Sequence, residues 1–231
     1  MLNIPNLRLV PMTNKKAILG ISFAAVFAIT MIASPIGADA AGHFLDIKKA
    51  DLRTDSSETE KVAFSAKGQI PTDGTGGAFG YGYVSSGSSL SAVAVTTTHG
   101  GIKDSIAQEN AADPVFHNHY VALTDANPLC SELAVVDITF EEPGDVDVWK
   151  KKAIMEDVPY YFAGTHSLTT DPITFNANDD IVLAVSFTIG PVDSSGNPTL
   201  DPAKILAGGA VCINDVTPVD QLKVKEVNKF F

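Results

Sequence analysis

The chain reads as an all-β protein, an antiparallel β-sandwich of Greek-key type, and three observations predict it. From Lys61 onward, runs rich in Val, Ile, Thr, Tyr and Phe are separated by clusters of Gly, Pro, Asn and Asp, the punctuation of short strands and turns. Several runs alternate strictly: Val62-Phe64-Ala66, Val93-Val95, Leu133-Val135, and Ile181-Leu183-Val185-Phe187-Ile189. Each then offers one apolar face to a second sheet. No sustained helical period competes; the helix candidates are short, 104–110 and 201–206, with Pro202 suited to a first turn.

In order, residues 1–40 read as a secretory signal peptide. Lys15 and Lys16 precede an apolar run over 17–32, followed by Pro35, Gly37 and Ala38-Asp39-Ala40, the basic, apolar and small-residue parts of a cleavable leader. Retention as an anchor is the alternative, because the apolar stretch approaches the roughly 20 residues that span a bilayer. With cleavage after Ala40, no stable membrane insertion is expected. Residues 41–60 are polar with sparse apolar positions, an arm able to form a strand. Residues 61–231 read as one sandwich domain with strands at 62–70, 79–85, 90–98, 115–124, 132–140, 146–154, 160–165, 173–175, 181–189, 205–213 and 222–227.

The formal charge is −11, and the leader holds Arg8, Lys15 and Lys16 against Asp39, so its removal makes the remainder more acidic. Nucleic acid and anionic membrane are poor partners for such a surface. The two cysteines, Cys130 and Cys212, both lie in the exported part, where a lone pair forms a disulfide. Closing a loop of about 80 residues, it stabilises by roughly 3–5 kcal/mol in the chain-entropy model.

Three loops were candidates for chemistry. The glycine-rich 71–77 lacks the lysine and helix of a phosphate cradle. Asp193-Ser194-Ser195-Gly196-Asn197, with Asp201 beyond, offers oxygen atoms to calcium but lacks EF-hand spacing. Trp149-Lys150-Lys151-Lys152 reads as a solvated strand edge that discourages aggregation.

The histidines carry the functional argument. His117 and His119 lie two apart in Val115-Phe116-His117-Asn118-His119-Tyr120-Val121, so on a strand both imidazoles leave one face and form a chelating pair. His99 ends an earlier strand and His166 follows a later one. Asp104, Asp113 and Asp125 flank the pair and are available to complete a shell. Cleavage after Ala40 would leave Ala41-Gly42-His43 at the amino terminus, whose amine, two amides and imidazole form the square-planar nitrogen set that Cu(II) favours. The expected cofactor is copper or zinc, with calcium as a lesser candidate.

Phe116-His117-Asn118-His119, with Cys130 a short loop later and Cys212 in a late strand, resembles the copper strand and loop-to-strand disulfide of copper-zinc superoxide dismutases. That resemblance implies a β-sandwich with His117 and His119 as copper ligands, Cys130 and Cys212 paired and, if the chain is an enzyme, copper-dependent redox chemistry. The family's further histidines follow the pair, whereas here only His166 is downstream and His99 is upstream. Residues 61–123 also resemble chordin-type (CHRD) domains, secreted β-sandwiches in which a glycine-rich turn and a long strand precede a His-x-His strand. The expected function is thus a secreted metal-binding β-sandwich. The alternative is a cell-surface structural or adhesion protein that self-associates through strand exchange, using 44–54 or 222–227. A hydrolase has no support, because no nucleophile elbow is present.

Overall fold

Alternating apolar residues and turn clusters yield thirteen strands among residues 43–85 and 89–227, the parts of the chain that the computed structural model describes. The expected leader 1–40, Ala41, Gly42 and the terminal Phe230-Phe231 lie outside the described residues. The strands are β1 (Ile47–Thr54), β2 (Glu58–Ala66), β3 (Phe79–Ser85), β4 (Val93–Thr98), β5 (His117–Thr124), β6 (Leu133–Ile138), β7 (Asp145–Trp149), β8 (Lys152–Pro159), β9 (Tyr161–Thr165), β10 (Pro172–Asn176), β11 (Ile181–Val192), β12 (Ala210–Pro218) and β13 (Leu222–Glu226). One short helix, α1 (Pro202–Leu206), is capped by the Asp201 carboxylate, which accepts from the Ala203 N–H.

Where alternation predicts two open sheets face to face, one of the two closes on itself. Strands β11-β12-β6-β5-β4-β3 form a closed barrel, with every neighbouring pair antiparallel. Closure follows from β11, which pairs with β12 and with β3 along its twelve residues, and from glycines that keep the lumen narrow. A Cβ at Gly80 would lie 2.7 Å from Phe187 Cζ, and one at Gly82 2.8 Å from Val95 Cγ1. Phe187 therefore fills space that a side chain on β3 would otherwise take.

The other layer is a five-stranded sheet in the order β13-β1-β2-β8-β7, covering β3, β4 and β5 from outside. Two cores result. Val84, Val93, Val95, Val121, Val185, Phe187 and Ile213 fill the barrel. Ile47, Leu52, Val62, Phe64 and Met155 of the sheet meet Phe79, Tyr81, Tyr83 and Tyr120 of the barrel wall. Each strand of that wall is buried on both faces, which is why β3 and β4 have no exposed residue. The buried tyrosine hydroxyls are tied across the layers: Tyr81 donates to the Phe44 carbonyl at 2.9 Å and Tyr120 to the Pro159 carbonyl at 2.8 Å.

Three local departures from the sequence pattern have tertiary causes. The run 146–154 is a hairpin, β7 and β8, turning at Lys150 with φ of 55°, a left-handed conformation that lysine seldom adopts. The Lys150 and Lys151 carbonyls accept from Ile70 and Ala66 N–H, so the turn is held by the neighbouring segment rather than by a glycine. Residues 104–110 form turns rather than a helix. Finally, 47–54 and 222–226, both open to pairing with a neighbouring molecule by sequence, pair with each other in parallel as β1 and β13. No helix among the described residues is long and apolar enough to cross a membrane.

Candidate metal centre

Strand parity decides which way the histidines point. Phe116, just before β5, and Asn118 and Tyr120 on it face the sheet, while His117 and His119 share the lumen face with Val121. Both imidazoles are fully buried, opposite Thr97 and Val95 of β4. They occupy the end of the barrel where β4 finishes and β5 begins. The connecting loop 99–116 folds over that end and brings in His99 and Asp104.

The four side chains converge. His99 Nε2 lies 3.1 Å from Asp104 Oδ2, His117 Nε2 3.3 Å from Oδ1, and His119 Nε2 3.8 Å from Oδ2. One donor atom each from His99, Asp104 and His117 lies within 4.8 Å of the others. Neighbouring donors in a tetrahedral site stand about 3.3 Å apart, given metal–ligand bonds of about 2.0–2.1 Å. The imidazoles meet edge-on, with centroids 4.9 Å apart for His99 with His117 and for His117 with His119.

Hydrogen bonds behind the rings set their polarity. His117 Nδ1 donates to the Val115 carbonyl at 2.8 Å, and His119 Nδ1 donates to the Thr139 carbonyl at 2.7 Å. A carbonyl only accepts, so Nδ1 carries the proton, and in a neutral imidazole Nε2 is then a bare lone pair. His117 Nε2, His119 Nε2 and Asp104 Oδ1 are buried without a hydrogen-bond partner. Lone pairs face a carboxylate in a buried space, an arrangement that could hold a metal ion.

Protonation supports the same reading. Burial lowers the pKa of His119 to about 4, overriding the raising effect of Asp104. Burial alone would raise Asp104; a positive charge on His119 and hydrogen bonds from His117 and His99, each of which needs a proton on Nε2, outweigh it and hold the carboxyl well below its usual range. Near neutral pH the centre therefore holds an ionised carboxylate beside an uncharged His119, the protonation state that metal ligands require.

Asp104 is aimed by Gln108, which is fully buried. Gln108 Oε1 accepts from the Asp104 and Ser105 N–H groups at 2.9 and 3.2 Å. Its amide nitrogen donates to the Ile102 and Asp113 carbonyls at 3.3 and 3.2 Å. All four hydrogen-bonding positions of the side chain are used. Its only mark in the sequence is a glutamine four residues after a candidate ligand, in a loop without periodicity.

A cavity of about 50 Å³ adjoins His99 and Asp104, walled by Ile102, Ile138, Leu168 and Ile189 among others. It is large enough for a few water molecules at about 10–15 Å³ each. The Ser167 hydroxyl, in its wall, has no hydrogen-bond partner.

The remaining sequence candidates lie elsewhere. His166 Nδ1 accepts from the Leu168 and Thr169 N–H groups at 3.1 and 3.2 Å, so it caps the turn after β9. His43 is exposed, and its carbonyl accepts from Gly68 N–H; the Ala41 and Gly42 amides of the amino-terminal copper motif lie outside the described residues. Asp113 accepts from Glu109 and Val115 N–H, and Asp125 is exposed beyond the far end of β5. Asp193 Oδ1 accepts from Ser195 and Asn197 N–H at 2.8 and 3.0 Å and Asp201 caps α1, so the calcium candidates serve their own loops. Cys130 and Cys212 form a disulfide, with Cα atoms 5.3 Å apart. It reinforces the β6–β12 seam, where Cys212 pairs with Ala134 and Ile213 with Leu133.

Comparison with protein-family models, with curated proteins and with solved structures finds no match for this chain.

Proposed function

We propose that this chain is a secreted, acidic protein that binds one transition-metal ion, copper or zinc, at the mouth of its barrel. The ligands are Nε2 of His99 and His117 and the Asp104 carboxylate, with His119 Nε2 as the fourth donor. The observation that carries the reading is the pairing of buried, unpartnered imidazole nitrogens with an ionised carboxylate, two of the rings being locked by backbone carbonyls. Orientation of this kind by an outer partner is the usual support of metal-binding histidine. Nitrogen and oxygen donors suit zinc and Cu(II) better than the oxygen-selective calcium. Secretion draws support from the leader-like segment 1–40 and from the disulfide, a bond that persists in oxidising compartments.

The test is metal analysis of untagged, exported protein, with amino-terminal sequencing of the same sample. One equivalent of copper or zinc is expected, with cleavage after Ala40. Calorimetric titration of the metal-free form should show a tight site that is lost when His117→Ala and His119→Ala are combined. A metal-free exported protein whose titration is unaffected by that double substitution would end the proposal.

A further inference from the structure

The five-stranded sheet has two edges, and they differ in charge. Among the described residues β7 pairs only with β8, and β13 only with β1. Each edge strand thus leaves one row of backbone N–H and C=O groups unpaired, a template for another strand. On the solvent face, β13 presents Lys223 and Lys225 while β7 presents Asp145 and Asp147. Their faces follow from register: Lys223 and Lys225 pair with Asp51 and Arg53, which alternate with the buried Leu52 and Thr54. Asp145 and Asp147 are exposed and alternate with the half-buried Val146 and Val148.

One cross-strand row carries this polarity across the sheet, whereas in the row beside it Lys223 neighbours Asp51. One row of cross-strand neighbours reads Lys225, Arg53, Lys61, Glu156, Asp145 from β13 to β7. Three cations are followed by two anions, and only Lys61 with Glu156 forms an ion pair inside the row. Like charges that are lateral neighbours in a sheet repel, so Lys225 beside Arg53 and Asp145 beside Glu156 each carry a charge that an opposite one from outside would relieve.

We propose that the chain associates head to tail, the β7 edge of one copy pairing with the β13 edge of the next. The directions agree. β2 runs against β1, β8 against β2 and β7 against β8, while β13 runs parallel to β1. When one sheet continues into the next, β7 and β13 therefore meet antiparallel. In one register Asp145 falls opposite Lys225 and Asp147 opposite Lys223 of the next copy. The same register sets Val146 opposite Val224 and Val148 opposite Leu222 on the inner face. Val224 is 42 % exposed in the single chain, and this pairing covers it.

Charge also selects against the alternatives. A β13–β13 contact sets lysine near lysine, and β7–β7 sets aspartate near aspartate, so neither edge pairs well with itself. The contact is heterologous and propagates. With strands about 4.8 Å apart and about 20–25° of twist per strand, each copy adds roughly 24 Å and a rotation of roughly 100–125°. The product is a twisted filament with a continuous sheet as its spine and the barrels outside. The inference is independent of the metal reading.

The test uses the full purified chain at low and high salt, with sedimentation velocity and negative-stain electron microscopy. Filaments with a repeat near 24 Å are expected at low salt, dissociating as salt screens the edge charges. Carbodiimide should join Asp145 to Lys225 and Asp147 to Lys223 between copies. Trp149, the only tryptophan and the last residue of β7, should change its emission on assembly. Lys223→Asp with Lys225→Asp should raise the protein concentration needed for assembly by about tenfold or more. Mixing that variant with Asp145→Lys/Asp147→Lys should restore assembly, one chain having two acidic edges and the other two basic ones. A chain that stays monomeric at low salt and millimolar concentration overturns the proposal. So does assembly that ignores charge reversal, or folded variants that fail to co-assemble.

Discussion

Acid should unfold the metal-free protein through His119 in particular. Its pKa is about 4 in the folded chain against an ordinary value of 6.5, because the buried ring cannot hydrate a charge. As pH falls through 6.5 the unfolded chain takes up a proton at this position, and the folded chain does not until about pH 4. Folding free energy is therefore lost over that window, roughly 2–3 kcal/mol by pH 4.5. Asp104 adds nothing to this loss: its carboxyl is held below the ordinary 3.8, so its stabilisation is present above that pH and disappears only below it. A loss of this size is a large share of the roughly 5–15 kcal/mol that holds a domain together. Urea unfolding followed by circular dichroism in EDTA, at pH 7.5 and 4.5, measures it, with His119→Gln as the non-titrating control. The variant should lose roughly 2–3 kcal/mol less than the parent between these pH values. Equal acid sensitivity in the two proteins would refute the argument.

Other perturbations test the support around the centre. Gln108→Leu keeps the bulk but strips two N–H groups and two carbonyls of their partner. Zinc affinity should then fall by about 10- to 100-fold, the usual effect of losing an outer-shell support, as read by calorimetry on the folded variant; unchanged affinity would mean that Asp104 is aimed by something else. Reduction of Cys130–Cys212, or its replacement by two alanines, should cost roughly 3–5 kcal/mol. The urea midpoint with and without reductant checks this, and coincident midpoints would show that the short β6–β12 seam holds unaided.

Much of the fold was legible because its signals are local. Alternation in 62–66, 93–95 and 181–189 marks strands whichever sheet they join, and Pro202 after Asp201 marks a helix start. The hairpin at Lys150 was illegible, because its turn carries no glycine or asparagine and is held by Ile70 and Ala66 of another segment. The pairing of β1 with β13 was hidden for the same kind of reason: a strand's partner is set by shape and charge across the chain, and nothing near 47–54 names 222–226.

The candidate centre divides in the same way. Local pattern alone was enough to put His117 and His119 on one face of a strand, because side chains alternate along any strand, and to pair two cysteines in an acidic, exported-type chain. That this face is the lumen of a closed barrel, and that Gln108 turns Asp104 toward His99, His117 and His119, follows from long-range packing. Closure depends on β11 finding both β12 and β3, and on glycines that leave room for Phe187. The contacts of β11 with β3 join residues about 100 positions apart, a distance across which local pattern carries no information.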